Sequence, residues 1–558
     1  MGSCFGSMGN CFRSHRMSSN IASTREPLLR ETERDAVTSL LQYLEQDSNN
    51  PHKTISDDKL RDLCTLAYSD NVDLQRSAAL CFSELSEKLM EPITEAQLEP
   101  LIHLLLSSDI EVLKASSLAI SNFALHGPPS NKETIVQAKA LQPLISLLSS
   151  DSAEVQCNAC GCITTLATTE ANKVEIVEYG AIPPLLALTR VNDPRVQRNT
   201  TGALLNLTHI ESNREKLVQA GGVTVFVHLL DSKDADVQFY CAAALSNLAV
   251  HEAHRSAIMA VGNGRVVGSL VTLMSSSVDK VRCQGCLAIR NLASDDINQD
   301  RIVRNGGLSV LIPLLRSADA ETVTAAVAAL RNLSIHKGNE QLIVASEALP
   351  ELKRLLLMRE QSEVQCHTAG TFRNLAAEDQ SQAIVDEGCI PVLADLLQNY
   401  QGVPEAVLTE VSAALAVLAA NESARRQLMS LYDGEFYKTL IEWTESQYSE
   451  VQYNCAGIIG HIAINTEYHS RLLSGSPSVM SVIHRFMESE ESSCVHIALW
   501  ITSQFSQGDM GTRSQLRQPA LLDRVKQLRS SQRNSEDIRQ LAESTLGHIT
   551  AGQTEPSS

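Results

Sequence analysis

The chain alternates stretches of aliphatic residues, spaced three and four apart, with short polar turns, and the alternation returns about every 42 residues. The phrases SLAISNFAL ending at Leu125, GALLNLT at Thr208, AALSNLA at Ala249, LAIRNLA at Ala293, AALRNLS at Ser334 and TFRNLA at Ala376 each carry one Asn at the same point. Those residues are Asn122, Asn206, Asn247, Asn291, Asn332 and Asn374. The equivalent slots elsewhere hold Glu84, Thr165, Val417, His461, Gln504 and His548, and successive slots lie 38 to 44 residues apart. Apolar positions at this spacing predict amphipathic helices. A period this regular predicts a solenoid, because one unit cannot bury its apolar face without its neighbours.

Each unit carries a second phrase upstream. Pro100, Pro143 and Pro184 each stand 22 residues before a slot and head the runs PLIHLLLSSD, PLISLLSSD and PLLALTRVND. Proline suits the first turn of a helix, where its missing N–H has no partner to lose, so each phrase is expected to open a helix. Gly180, Gly221, Gly222, Gly306, Gly307 and Gly388 precede several of these helices and predict a sharp turn after a short one. The linkers SSDIEV, SSDSAEV and DSKDADV offer Ser and Asp as caps for a third helix. The expected chain is all-α, with about twelve three-helix repeats over residues 33–551 between a tail at 1–32 and another at 552–558. Pro-hydrophobic-Leu-Leu, then Ser-Asp, then Ala-Leu-x-Asn-Leu-Ala resembles the armadillo family. The resemblance implies a right-handed superhelix, on the order of 100 Å long at 8–10 Å per layer, with the third helices along its concave side.

Composition narrows the picture. A length of 558 residues would ordinarily suggest three or four domains, but 10 Phe, 10 Tyr and 2 Trp are few for that many cores and favour thin Ala- and Leu-rich layers. A formal net charge of −19 excludes a general nucleic-acid binder, which needs Lys and Arg to neutralise phosphates. The longest uncharged apolar run, Val411 to Ala420, is too short to cross a bilayer, and no secretory signal opens the chain, so the 14 cysteines are expected to be thiols.

An Asn carboxamide both donates and accepts, so a row of them one layer apart is expected to hold the backbone of an extended partner segment. The blander expectation is a bond to the protein's own neighbouring repeat. Arg290, Arg331 and Arg373 each precede a slot Asn and form a basic stripe suited to bidentate pairing with carboxylates or phosphates; the alternative is internal pairing with Asp295, Asp296 or Glu378. Four residues before the slot, where import receptors of this superfamily place Trp, stand Gly161, Gly202, Ala243, Leu287, Ala328 and Gly370, which argues against import-receptor function. The expected groove, from about Asn206 to Asn374, therefore takes extended acidic or polar segments.

Other motifs carry no chemistry. Cys157-x-x-Cys160 and Cys283-x-x-Cys286 fall three repeats apart, and Cys157, Cys283 and Cys366 each sit eight residues before a slot, which reads as buried packing rather than a metal site. Gly262-x-Gly264 has no strand before it. His461 and His548 lack an adjacent nucleophile and a fitting carboxylate. The chain is expected to have no catalytic residues, no metal and no cofactor.

The start, MGSCFGSMGNCFRSHR, reads as a membrane address. Gly2 is the candidate myristoylation site, with Gly6 where Ser or Thr is usual, and Cys4 and Cys11 are candidate palmitoylation sites. Arg13, Arg16, Arg25 and Arg30 against Glu26 add about +3 for an anionic leaflet. This start, with YSDNVDLQRSAAL from Tyr68, EVQCNACGCITTLAT from Glu154, RVQRNTTGALLNLTH from Arg195 and HIALW from His496, resembles the fungal vacuolar armadillo-repeat family (the vacuolar protein eight family) over nearly the whole chain. The resemblance implies a lipid-anchored scaffold on the cytosolic face of the vacuole, with partners that include a myosin adaptor, a nuclear-envelope tether and an autophagy factor, serving vacuole inheritance, nucleus-vacuole contact, vacuole fusion and cytoplasm-to-vacuole delivery. Self-association through the end layers is a further expectation. The rival reading is a soluble catenin-like adhesion or signalling adaptor.

Overall fold

A computed structural model describes residues 29–46, 55–88, 91–377, 380–399, 401–531 and 535–551. The described residues are helical, with no strand among them, and the contacts divide the chain into two units, Met1–Leu273 and Met274–Ser558.

Twelve helices of 14 to 16 residues carry the twelve slots. The first unit holds α1 (Val72–Ser86), α2 (Ile110–Leu125), α3 (Ala153–Leu166), α4 (Pro194–Leu207) and α5 (Ala235–Leu248). The second holds α6 (Asp279–Leu292), α7 (Ala320–Leu333), α8 (Ser362–Ala376), α9 (Glu405–Leu418), α10 (Ser449–Ile462), α11 (Ser492–Ser506) and α12 (Glu536–Thr550). Within each unit, every one of these helices packs on the next. The core between layers is Leu, Ala, Ile and Val, with single fully buried aromatics: Phe82, Phe123 and Phe226 in the first unit, Phe372, Phe436 and Phe505 in the second.

The caps form as the linkers predict. Asp109 accepts from the N–H of Glu111 and Val112, Asp193 from Arg195 and Val196, Asp234 from Asp236 and Val237, and Asp319 from Thr322. Two caps also tie layers together, since Arg76 of α1 reaches Asp109 at 2.6 Å and Arg198 of α4 reaches Asp234 at 3.0 Å. Hydrogen bonding to the Arg76 guanidinium holds the Asp109 carboxyl below the usual carboxylate range. The Arg195 side chain takes Asp193 down to about 2, and the Thr322 hydroxyl lowers Asp319.

The turns before the second helices are left-handed as expected: φ is +81° at Gly180, +84° at Gly221, +82° at Gly306 and +74° at Gly388. Lys139 and Glu347 take the same conformation, at +66° and +60°, in repeats without the glycine. Three expectations need correction. The first helix, Glu31–Gln46, begins two residues ahead of the expected boundary, because the Glu33 carboxylate accepts from the Arg30 N–H at 2.8 Å and closes its first turn. Pro100 lies inside Glu95–Leu104 rather than opening it, because Thr94 and Gln97 form a reciprocal capping box that starts the helix earlier. That repeat also shows no short first helix among the described residues between Ser86 and Glu95. The stretch Glu252–Met274 is long and apolar enough to cross a bilayer by composition, but it is two helices, Glu252–Ala260 and Arg265–Met274, broken where Gly262 and Asn263 turn left-handed.

A Cβ at Gly180 meets nothing within 4 Å, so the cost of Gly180→Ala is conformational, about 1 kcal/mol, and a urea unfolding midpoint shifted down accordingly checks it. The depressed carboxyls contribute stability that is intact above the unfolded value near pH 4 and is lost as pH falls through the folded values toward 2. Thermal midpoints followed by circular dichroism are expected to hold steady from pH 7 to about 5 and to drop below pH 4.

Candidate partner-binding ladder

The last four carbonyls of a helix have no partner within it, and the slot Asn residues answer one of them from the next repeat. Asn206 on α4 donates Nδ2 to the Thr164 carbonyl of α3 at 3.1 Å, Asn332 on α7 to the Arg290 carbonyl of α6 at 2.8 Å, and Asn374 on α8 to the Arg331 carbonyl of α7 at 3.1 Å. In each case the acceptor is the residue just before the preceding slot. Asn374 also donates to Ser334 Oγ at 3.1 Å, while Asn122 donates to Ser86 Oγ at 3.1 Å and Asn247 to Thr208 Oγ1 at 2.8 Å. Asn291 occupies its slot on α6. The internal bond weighed as the blander expectation is thus made. It uses Nδ2 and leaves Oδ1 of Asn206, Asn332 and Asn374 without a donor among the described residues.

A second row of Asn escaped the sequence reading. Asn172, Asn298 and Asn339, each buried on a short first helix, donate to the carbonyls of Leu166, Leu292 and Leu333 at 3.2, 3.0 and 3.0 Å. Asn131 does the same for Phe123 at 3.1 Å and accepts from the Ile93 N–H at 3.0 Å. The signal was available: Asn131, Asn172 and Asn213 recur every 41 residues, as do Asn298 and Asn339. Arg425 and His469 take this place further on, reaching the carbonyls of Ala419 at 3.0 Å and Ala463 at 2.7 Å.

The internal pairing of the Arg stripe differs from the one weighed in the sequence. Arg331 and Arg373 both pair internally, but with Glu410 of α9 rather than with Asp295, Asp296 or Glu378, the last of which lies outside the described residues. Arg331 crosses a whole layer to do so. It lies over Gly370 of α8, where an added Cβ would stand 2.6 Å from its Nε, and its Nη2 hydrogen-bonds Glu410 Oε1. His367, one turn from Gly370, sits 3.5 Å from Arg331 Nη1; burial and then the charge of Arg331 and Arg290 push its pKa down, so the ring is neutral at pH 7. Arg290 makes no ion pair among the described residues.

Toward the C-terminal slots the surface turns aromatic. Trp500, four residues before Gln504, takes the position held by Gly202, Ala243, Leu287, Ala328 and Gly370 in the central repeats; its ring lies on Gly460 and meets His461 edge-on at 5.0 Å. With Tyr453, Asn454, Gly457 and His496 it lines a cavity of about 390 Å³. His548 also departs from expectation, since Ser506 Oγ stands 3.4 Å from its Nδ1. That hydroxyl is buried and donates to the Ser503 carbonyl at 2.6 Å, so it is a helix-capping group and not a nucleophile. The described cysteines are free thiols, and burial pushes Cys160 and Cys162 up to about 12 and Cys283 to about 11. Cys157 and Cys366 are half-buried rather than fully buried as expected. Gly2, Cys4 and Cys11 lie outside the described residues.

Residues 128–168, 169–209, 211–250 and 295–335 match the Armadillo/beta-catenin-like repeat. Among solved structures, a chain from work on the phosphorylation switch in the interaction between cadherin and beta-catenin aligns with TM-score 0.72 over 87% of this chain and 99% of its own, at 14% identity, which shows the fold alone. An engineered protein aligns with TM-score 0.65 at 30% identity, over 72% of this chain and 98% of its own. Vacuolar protein 8 of Schizosaccharomyces pombe is 46% identical over 89% of both chains. That of Candida albicans is 43% identical over 99% of this chain and 92% of its own, and that of Saccharomyces cerevisiae 42% identical over 89% and 85%. Proteins of this kind are armadillo scaffolds and not enzymes. With relatives this similar over nearly their full length, the chain belongs to the Vacuolar protein 8 family of armadillo-repeat proteins.

Proposed function

We propose that the protein is a vacuole-associated scaffold, anchored by acyl chains at its N-terminus, that holds extended acidic segments of partner proteins against the ladder helices of its second unit. The observation that carries this reading is the placement of Arg290, Arg331 and Arg373 beside Asn291, Asn332 and Asn374 on three consecutive helices of a chain whose net charge is −19. Guanidinium forks pair with carboxylates bidentately, and the Oδ1 atoms of Asn332 and Asn374 supply acceptors for the peptide N–H groups of an extended chain. The partner's backbone then provides affinity and its carboxylates provide selection. Asn122, Asn206 and Asn247 extend the same amide chemistry in the first unit.

The name shared by the relatives supports the vacuole and disfavours a catenin-like adaptor with no organelle. Gly2 for myristate, Cys4 and Cys11 for palmitate and the neighbouring arginines supply the two signals that stable anchoring needs. Fixed to the cytosolic leaflet, such a scaffold captures partners one at a time, which suits vacuole inheritance through a myosin adaptor, contact with the nuclear envelope, vacuole fusion and delivery of autophagy factors. Partners that use the Arg stripe compete.

Two measurements test this reading. The triple variant Arg290→Glu, Arg331→Glu, Arg373→Glu is expected to weaken binding of a fluorescent 15-residue Asp/Glu/Ser peptide at least a hundredfold by anisotropy, with wild-type affinity falling as salt rises; unchanged binding overturns the acidic-segment reading. Gly2→Ala is expected to move the protein from the membrane pellet to the supernatant on fractionation, and retention in the pellet overturns the anchor.

A further inference from the structure

Glu410 is the one acidic side chain that the described structure places on the Arg stripe. It reaches there from α9, one layer beyond Arg373 and two beyond Arg331, and its side chain is only 12% exposed. Its two oxygens are held unequally. Oε1 accepts a hydrogen bond from Arg331 Nη2. Oε2 lies 2.9 Å from Arg373 Nη1 but makes no aligned hydrogen bond, although water cannot reach it. A buried carboxylate is well held only when its lone pairs are filled, so Glu410 is an imperfect ligand for two guanidinium groups that a better-placed carboxylate can take over. The approach itself depends on Gly370, because any side chain there would block the course of Arg331. Arg290, one layer before, faces no such internal acid.

We propose that Glu410 is a built-in competitor for the partner's carboxylates: in the free chain it occupies the Arg331 and Arg373 site, and an acidic segment binds by pairing first with Arg290 and then displacing Glu410. This rests on the reading of the ladder as an acidic-segment site and adds its regulation. Exchange of one Arg–carboxylate pair for another is close to neutral, whereas pairing with an unoccupied guanidinium is a gain. The occupied pair therefore lowers the gain from every acid beyond the one that Arg290 holds, and only a segment with acids spaced to reach Arg290 and the Glu410 site together takes over the whole stripe. The opposite role for Glu410, that of a brace that orients Arg331 and Arg373 for the partner, predicts effects of opposite sign.

The test uses the full-length protein and two labelled 15-residue peptides of Asp, Glu and Ser, one with several acids and one with a single acid, read by anisotropy. Glu410→Gln keeps the length of the side chain and removes its charge. The expected result is about tenfold tighter binding of the many-acid peptide, a smaller gain for the single-acid peptide, which Arg290 already holds, and a steeper fall of affinity with salt. Glu410→Asp, which keeps a charge on α9 but withdraws it from Arg331, is expected to give a smaller gain. Adding Arg331→Ala and Arg373→Ala to Glu410→Gln is expected to erase the gain. Unchanged or weaker binding by Glu410→Gln, with its thermal midpoint close to wild type, overturns the competitor role; weaker binding by both Glu410 variants identifies the brace. Equal binding of the many-acid peptide by wild type and by the triple Arg-to-Glu variant instead overturns the ladder reading itself, and the role of Glu410 falls with it.

Discussion

The carbonyl groups at the end of each ladder helix are the constraint around which the repeats are organised. A helix that stops leaves its last four acceptors unsatisfied, and an unpaired polar group between packed layers costs about 1–3 kcal/mol. The chain meets this need from the following repeat. Asn206, Asn332 and Asn374 take one carbonyl each, and Asn172, Asn298 and Asn339 take another on the buried side. Apolar stacking brings one layer onto the next, but these bonds fix its rotation and height, because a carboxamide must meet a particular oxygen.

That arrangement also makes a surface that is ready for a partner. A slot Asn whose Nδ2 is committed to the previous layer cannot rotate freely, so its Oδ1 is held in one direction before anything binds. Ordering a side chain in advance removes an entropy cost that binding would otherwise bear. The arginines beside Asn291, Asn332 and Asn374 sit on the same rigid turn, their own carbonyls gripped by the next layer in the case of Arg290 and Arg331. The structural role of the ladder and the binding role proposed for it are therefore complementary rather than rival, since they use different atoms of the same side chains.

The layers also explain why the protein can be acidic and still present positive charge. Several of its carboxylates serve as helix caps at the turns, as Asp109, Asp193, Asp234 and Asp319 do. Among the described residues, Glu410 alone is brought onto the stripe, through the gap that Gly370 leaves. Cys160, Cys162 and Ser506 fall on the opposite side of this division: they are buried, and the Ser506 hydroxyl is taken up by the Ser503 carbonyl.

Periodicity made the repeats legible in advance. One slot every 38 to 44 residues, filled by Asn in six of twelve, with Pro and Gly at fixed offsets, placed the twelve ladder helices, their Ser-Asp caps and the left-handed turns at Gly180, Gly221, Gly306 and Gly388, because each depends on residues a few positions apart. Pro100 misled for the same reason, because the reciprocal capping box at Thr94 and Gln97 outweighs the local preference of proline for the first turn. What sequence could not decide was which atoms meet across layers: that Asn374 grips the Arg331 carbonyl 43 residues away, or that Arg331 passes over Gly370 to a carboxylate 79 residues on. Helix periodicity specifies which face a residue occupies, while the partner it finds depends on the stacking of whole layers, and only the tertiary structure sets that distance.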